Sequence, residues 1–366
     1  MEIMKNTTFL TAVFAVGATG AFAGGMDRSG QSIGAIFQTG TYVELSFGSV
    51  TPDVSGNIGG ATFSDNMADN YTQIGAAYKR DLTDQLSMAI ILDQPFGADV
   101  DYRDADATYP LVGATATVDT VGVTALLRYK FNDRFSVHGG VRNLTSEGEV
   151  SLPGFPIPGG YSMETSTEND WSWLAGVAYE IPEIALRAAL TYNSETTIDF
   201  DIDESTPGVF GDTSSNMEVT MPQSVNFDFQ TGIAPDTLLM FSVRWAEWTE
   251  TVIAPNDYGT LVRQNLVDHN GDTTSYSLGL GRRFNDKWSG SVAIGYEDGT
   301  GGLSGNLAPR DGYTSLTVGA QYQITEQTAI SGGMSYIWIG DAETGIGAEF
   351  EDNDAFGVGL KIAHRF

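Results

Sequence analysis

The chain has no cysteine, which removes disulfides, cysteine zinc sites and thiol nucleophiles together. Histidine is almost as scarce, with three in 366 residues. Lysine and arginine number 18 against 47 aspartates and glutamates, a net charge of −29. That balance excludes nucleic acid as a partner, because phosphate recognition needs clustered basic side chains. Beyond the first two dozen residues no apolar run approaches the roughly 18 residues a spanning helix needs. This excludes a helical membrane protein but not a barrel, in which only every second residue meets lipid.

Catalysis also has little to build on. His138 shares strand parity with Ser136 and Arg142 and is expected to point inward. His269 falls in a loop and His364 near the last residues, so no nucleophile–base–acid spacing emerges. The run Asp268-His269-Asn270-Gly271-Asp272 lacks the terminal glutamate of a calcium loop. The glycine-rich stretch from Gly299 to Gly305 lacks the Gly-Lys-Ser/Thr of a phosphate loop. Asp199, Asp201 and Asp203 alternate on one strand face, where they either hold a cation or lie on a solvated upper wall. The expectation is a protein that is not an enzyme and carries no cofactor or metal.

What is present is a leader followed by a strand rhythm. Residues 1–23 read as an export signal, with Lys5, an apolar core and Ala21-Phe22-Ala23 as the cleavage site. Residues 24–40 carry neither strand nor helix periodicity, and residues 41–366 alternate. Strands are expected at 42–50, 70–80, 85–94, 116–131, 135–150, 168–180, 185–203, 216–230, 237–251, 273–284, 287–298, 314–324, 327–340 and 354–366. Short turns and long polar loops alternate between them, the arrangement of an outer-membrane barrel.

The faces agree. In the last strand Phe356, Val358, Leu360 and Ile362 share one side, while Gly357, Gly359, Lys361, Ala363 and Arg365 share the other. In the fourth, Val121, Val123, Ala125, Leu127 and Tyr129 oppose Thr120, Gly122, Thr124, Arg128 and Lys130, with Leu126 among the latter. An apolar outside with a polar inside is a barrel in lipid. Trp171, Trp245, Trp248, Tyr296 and Trp338 are expected in the aromatic girdle of the long-loop rim, and Tyr129, Phe135, Trp288 and Phe366 in that of the short-turn rim. The third strand runs into Gln94-Pro95-Phe96-Gly97. Proline cannot donate to a ladder and glycine marks a bend, so the strand either ends there or turns inward.

Several stretches resemble the FadL family of outer-membrane transporters for long-chain fatty acids and other hydrophobic compounds. They are PFGADVDY from Pro95, YNSETTIDFD from Tyr192, MPQSVNFDF from Met221, the pair Trp245/Trp248, FNDKWSGSVAIGYEDG from Phe284, and the strand ending on Phe366. The resemblance implies an all-β transmembrane antiparallel barrel of about 14 strands with a short N-terminal hatch, residues 24–40, inside the lumen. It also implies a lateral opening where the third strand kinks, with Gly97 at the kink beside Pro95 and Phe96. Substrate would be captured in an apolar groove among the outer loops, bound in the lumen and released sideways.

On this chain the apolar loop with Phe155 and Ile157, together with Tyr161 and Met163, is the expected groove, faced by Val209 and Phe210. Two departures stand out. The pre-barrel segment is short and lacks the family's Asn-Pro-Ala. The basic residues that clamp a fatty carboxylate align near Val150 and Asp268, leaving Arg142 and Arg263, with Arg128 and Arg244, as alternative cations. The expected partners are a long-chain fatty acid or another hydrophobic small molecule, together with outer-membrane lipid and lipopolysaccharide. A monomer in the outer membrane of a Gram-negative bacterium is expected. The competing reading is a general diffusion porin for small polar solutes.

Overall fold

The computed structural model describes residues 26–366. The expected export signal, 1–23, and the first two residues of the 24–40 segment lie outside the described residues.

Fourteen antiparallel strands form the wall. They are β1 (Tyr42–Asp53), β2 (Tyr71–Asp81), β3 (arms Leu86–Asp93 and Gly97–Asp101), β4 (Thr115–Lys130), β5 (Phe135–Leu152), β6 (arms Tyr161–Thr165 and Glu168–Ile181) and β7 (arms Leu186–Asn193 and Thr196–Thr206). The remainder are β8 (arms Gly211–Met221 and Ser224–Ala234), β9 (Thr237–Ala246), β10 (Thr273–Arg283), β11 (Trp288–Glu297), β12 (Tyr313–Gln323), β13 (Thr328–Ile339) and β14 (Asp354–Arg365). Four of them come in two arms, which accounts for the 18 bonded segments of the sheet. Closure is made by β14 lying along β1 from Tyr42↔Arg365 to Asp53↔Asp354, while the other edge of β1 pairs with β2. Closure matters because lipid offers no partner to an exposed strand edge.

Outward positions in the lower part of the wall are apolar and exposed: Leu45, Val123, Leu127, Ile294, Val318 and Leu360 among them. Phe131, Phe135, Phe284, Trp288 and Phe366 ring the short-turn rim, and Trp171, Tyr276, Tyr296 and Trp338 ring the other side of the band. Trp248 is a correction to the expected girdle. It is wholly buried, because β9 stops at Ala246 and a 3-10 turn, Trp248–Glu250, carries the indole inward.

Above the band the alternation inverts. On the upper arms of β7 and β8 the buried apolar residues are Ile198, Phe200, Ile202, Met217, Val219 and Met221. Asp199, Asp201, Asp203 and Glu218 point out and are exposed. Water rather than lipid surrounds the strands there, so the apolar side chains move to the lumen. A polar inner face is therefore true of the lower lumen only. The upper lumen is an apolar core that runs from Met26 through Leu144, Val150, Phe200 and Trp248 to Phe350.

The long loops close over this core. Gly56–Ile58, Thr62–Phe63, Leu303–Ser304, Ala342–Thr344 and Glu349–Phe350 form a second, five-stranded sheet. A short helix, α1 (Asn256–Val262), lies in what the sequence presents as a plain polar loop. Beneath it Trp248 packs edge-on to Phe96 at 5.7 Å and against the His269 ring at 5.2 Å.

From below, residues 26–40 enter the lumen. Ile33, Ala35 and Ile36 pack on Ala77, Ala89, Ile91, Leu126 and Leu174. This explains the one inward leucine of β4: Leu126 meets a segment of the chain rather than water. Phe37 sits between two guanidinium groups, 4.6 Å from Arg128 and 4.5 Å from Arg187.

Two predictions follow from this packing. Ile36→Ala removes a fully buried side chain and is expected to weaken docking of the segment by about 2–4 kcal/mol. Limited proteolysis should then cut between residues 30 and 40, where the wild type resists. In the outer cap, burial first and the Arg310 charge second push His269 down to about 4 from its ordinary 6.5. Its folded pKa lies below its unfolded one, so the unfolded chain binds the extra proton. Cap stability should be full above pH 6.5 and fall as the pH drops towards about 4. His269→Gln should flatten that dependence in urea titrations followed by tryptophan fluorescence.

Candidate functional site: the break in β3 and the lumen beneath it

The break begins with sequence chemistry. Pro95 has no N–H to give a neighbouring strand, and the chain leaves the wall between the two arms of β3. The pre-barrel segment supplies the missing partners. Arg28 N donates to Pro95 O at 2.8 Å, and Gly97 N donates to Met26 O at 2.9 Å. Thr120 of β4 serves Phe96 on both sides, accepting from its N–H at 2.9 Å and donating to its carbonyl at 2.6 Å. Pro95, Phe96 and Gly97 are all buried.

Gly97 makes room for the Arg28 side chain. A Cβ there would overlap the Arg28 guanidinium. Passing over Gly97, that guanidinium pairs with Asp99 and lies 4.2 Å from the centre of the Tyr71 ring. The adjacent Asp27 pairs with Arg244 of β9. Ser29 donates to Asp93 at 2.5 Å, Ser224 to Gln31 at 2.9 Å, and Asn226 to Gly30 O at 2.9 Å. The segment is thus tied to β3 on one side of the lumen and to β8 and β9 on the other.

The inward turn leaves a gap in the wall. The β2–β3 ladder runs from Asp81↔Ser87 up to Ala76↔Leu92 and stops. Above it, Thr72–Gly75 continue to pair with β1, but no β3 ladder residue faces them. The upper arm of β3 pairs with β4 and bridges Ala68, ahead of β2, at Val100. The gap lies at the upper edge of the apolar band. Val121 and Val123 of β4 are exposed below that level, and Asp119, opposite Gly97, is exposed above it.

Two hollows meet at Asp27 and Arg28. The lower one, about 1000 Å³, is lined by the pre-barrel segment and by residues including Gln73, Gly75, Gln94, Arg187 and Asp228. The upper one, about 90 Å³, is lined by apolar residues including Met26, Val54, Met67 and Val100 and by the charged Asp69, Asp99 and Arg310. Asp27 and Arg28 line both and form the partition between them.

The other residues singled out by sequence are spread over the outer region. Phe155 is exposed, whereas Ile157, Tyr161 and Met163 are buried in the upper core. Tyr161 donates to Glu204 at 2.9 Å and packs 5.2 Å from the Tyr258 ring of α1. Val209 and Phe210 are exposed at the tip between β7 and β8. Arg142 is buried in the lumen, donating to Thr124 at 2.9 Å and Asn193 at 3.3 Å. Arg263 is exposed at the end of α1, so the structure does not bring the two arginines together. Arg244 and Arg128 each hold a carboxylate, of Asp27 and Glu180. Sequence reasoning missed Asp27, Arg28, Gln94 and the inward role of Trp248. One signal was available: Asp27-Arg28 carries the only charges in residues 24–40.

Comparison with known proteins agrees with this geometry. The family described as outer membrane protein transport protein (OMPP1/FadL/TodX) matches residues 9–359. The fold is similar to a FadL homologue of Pseudomonas aeruginosa, with a TM-score of 0.73, 14% identity and coverage of 96% of this chain and 98% of that one. It is similar to the toluene transporter TodX of Pseudomonas putida, with a TM-score of 0.69, 12% identity and 96% of each chain covered. The toluene transporter TbuX of Ralstonia pickettii follows at 0.61 and 14% identity, covering 89% of this chain and 90% of that one. No curated protein matches the sequence. The chain belongs to the OMPP1/FadL/TodX family of outer membrane transport proteins.

Proposed function

We propose that the protein carries neutral hydrophobic small molecules across the outer membrane and releases them sideways, through the gap between β2 and the kink of β3. The observation that carries this reading is the interrupted β2–β3 ladder beside the lumen, at the edge of the apolar band. An unsatisfied backbone group in lipid costs several kcal/mol, and the break in the ladder persists because the pre-barrel segment and Thr120 supply the missing partners.

The route begins on the apolar outer loops. Phe155, Val209 and Phe210 offer exposed contact area, and Ile157, Tyr161 and Met163 belong to the core beneath. From there a solute is drawn through the upper apolar core to the small hollow above Asp27 and Arg28. Displacement of residues 26–28 joins that hollow to the lower one and brings the solute beside the gap. No energy source enters this scheme; affinity and the gradient suffice.

Charge favours a neutral solute over a fatty carboxylate. The exposed basic residues of the outer loops, among the described residues, are Arg103 and Arg263, and Arg103 is already paired with Asp101. At the partition Arg28 and Arg244 hold Asp99 and Asp27. A carboxylate entering here meets an acidic surface and, at the partition, must displace a protein carboxylate to reach the guanidinium of Arg28 or Arg244. The hydrocarbons named for the toluene transporters, TodX and TbuX, are the model for such a solute. A polar diffusion pore fits less well, because the upper lumen is packed with apolar side chains.

The test is uptake of labelled toluene, oleate and a disaccharide by cells carrying the wild type, Gly97→Arg or no copy. Toluene should enter fastest through the wild type, and Gly97→Arg, which fills the kink, should reduce it to the level of cells without the protein. Faster oleate than toluene entry would reverse the assignment of charge, and disaccharide entry alone would establish a polar pore. A second measurement addresses the partition. Arg28→Ala strands Asp99 and should cost the docked segment on the order of 3–5 kcal/mol. Channel current in planar bilayers should then rise above the wild-type level, because the two hollows become one.

A further inference from the structure

Gln94 is the last residue before the chain turns inward, and no role falls to it from the reading above. Ladder register gives it one. Ala76 stands opposite Leu92, so two positions further Ile74 would stand opposite Gln94. The backbone of Gln94 has left the ladder, yet the bond to Ile74 persists in another form. Ile74 N donates to the Gln94 side-chain Oε1 at 2.8 Å. The amide of a side chain replaces the carbonyl of a strand.

We infer that Gln94 is the positioning residue that latches the lateral gap, holding it shut through this one bond and opening it when the side chain turns away. Ile74 is 57% exposed on the lipid side and its register partner has left the ladder, so its N–H depends on a side-chain acceptor to stay bonded within the wall. A backbone ladder bond cannot be broken without moving a strand. A side-chain bond is broken by rotamer changes alone, on a far shorter timescale. Gln94 also lines the lower cavity, beside Gln73 and Gly75, so a solute leaving the lumen at this level contacts its amide first. The loss when the latch opens is one hydrogen bond. That is small enough to be reversible and large enough to keep the wall closed at rest.

The latch rests on the lateral route proposed above, and the experiment separates the two. Gln94→Leu and Gln94→Ala remove the acceptor, and Gln94→Glu keeps an acceptor oxygen at neutral pH. Amide hydrogen exchange on the purified protein in detergent reads the bond itself. Ile74 should exchange about tenfold faster in the Leu and Ala variants and be protected again in the Glu variant. Tyr78, paired with Ile90 in the intact ladder, should be unchanged and certifies the fold. Toluene uptake should rise about two- to tenfold in the Leu and Ala variants, the range one hydrogen bond spans, with disaccharide uptake unchanged. Unaltered toluene uptake in these variants, while Gly97→Arg still blocks it, overturns the latch and leaves the route standing. A parallel rise in disaccharide uptake also overturns it, since the wall would then merely leak. If Gly97→Arg leaves toluene uptake intact, the route itself fails and the latch with it.

Discussion

In lipid, every backbone N–H and C=O of the wall must find its partner within the protein. The closure of β1 on β14 and the unbroken ladders around most of the circumference are consequences of that constraint. So is the construction of the site. Where β3 leaves the wall, its donors and acceptors are taken over by Met26, Arg28 and Thr120, and the donor left on β2 is taken by the amide of Gln94. The interruption is thus a rerouting of bonds through side chains and a docked segment that is not part of the wall. Both can be released without unfolding a strand.

The distribution of charge follows a related logic. Cations are few, and four of those in the lumen are spent on internal pairs: Arg28 with Asp99, Arg244 with Asp27, Arg128 with Glu180 and Lys361 with Glu44. Buried pairs of this kind do little for net stability but are costly to break on one side. They are therefore well suited to fixing where a movable segment docks. Asp199, Asp201, Asp203 and Glu218 lie outward above the apolar band, on the solvated faces of the upper arms. One chain consequently presents lipid with hydrocarbon, water with carboxylates, and its upper lumen with an apolar core.

That inversion explains why the sequence reading was accurate for the wall and uneven for the site. Strand number, alternation and the division into short turns and long loops are local patterns, and the structure has them as read. The fourth strand, expected at 116–131, is found at Thr115–Lys130. Trp248 falls in the expected girdle because the ninth strand reads as running to residue 251, and nothing local announces that β9 stops at Ala246 and sets the indole against Phe96. Helix α1 is seven residues long, too short for periodicity to separate it from a loop. Leu126 looked like an exception on a polar face until Ile36 was found against it.

By itself, the amino-acid order determined the barrel and its even strand number through period-two alternation, and marked an interruption of the third strand at Pro95, which cannot pair; the resemblance to the family rested on short stretches such as PFGADVDY and MPQSVNFDF. Only the tertiary structure decided what fills the break. Asp27 finds Arg244 across 217 positions of sequence, and Arg28 finds Asp99 across 71. Gln94 reaches an N–H that is its neighbour only because two strands separate just above it. Contacts of that kind depend on closure of the whole wall, and no pattern within one strand encodes them.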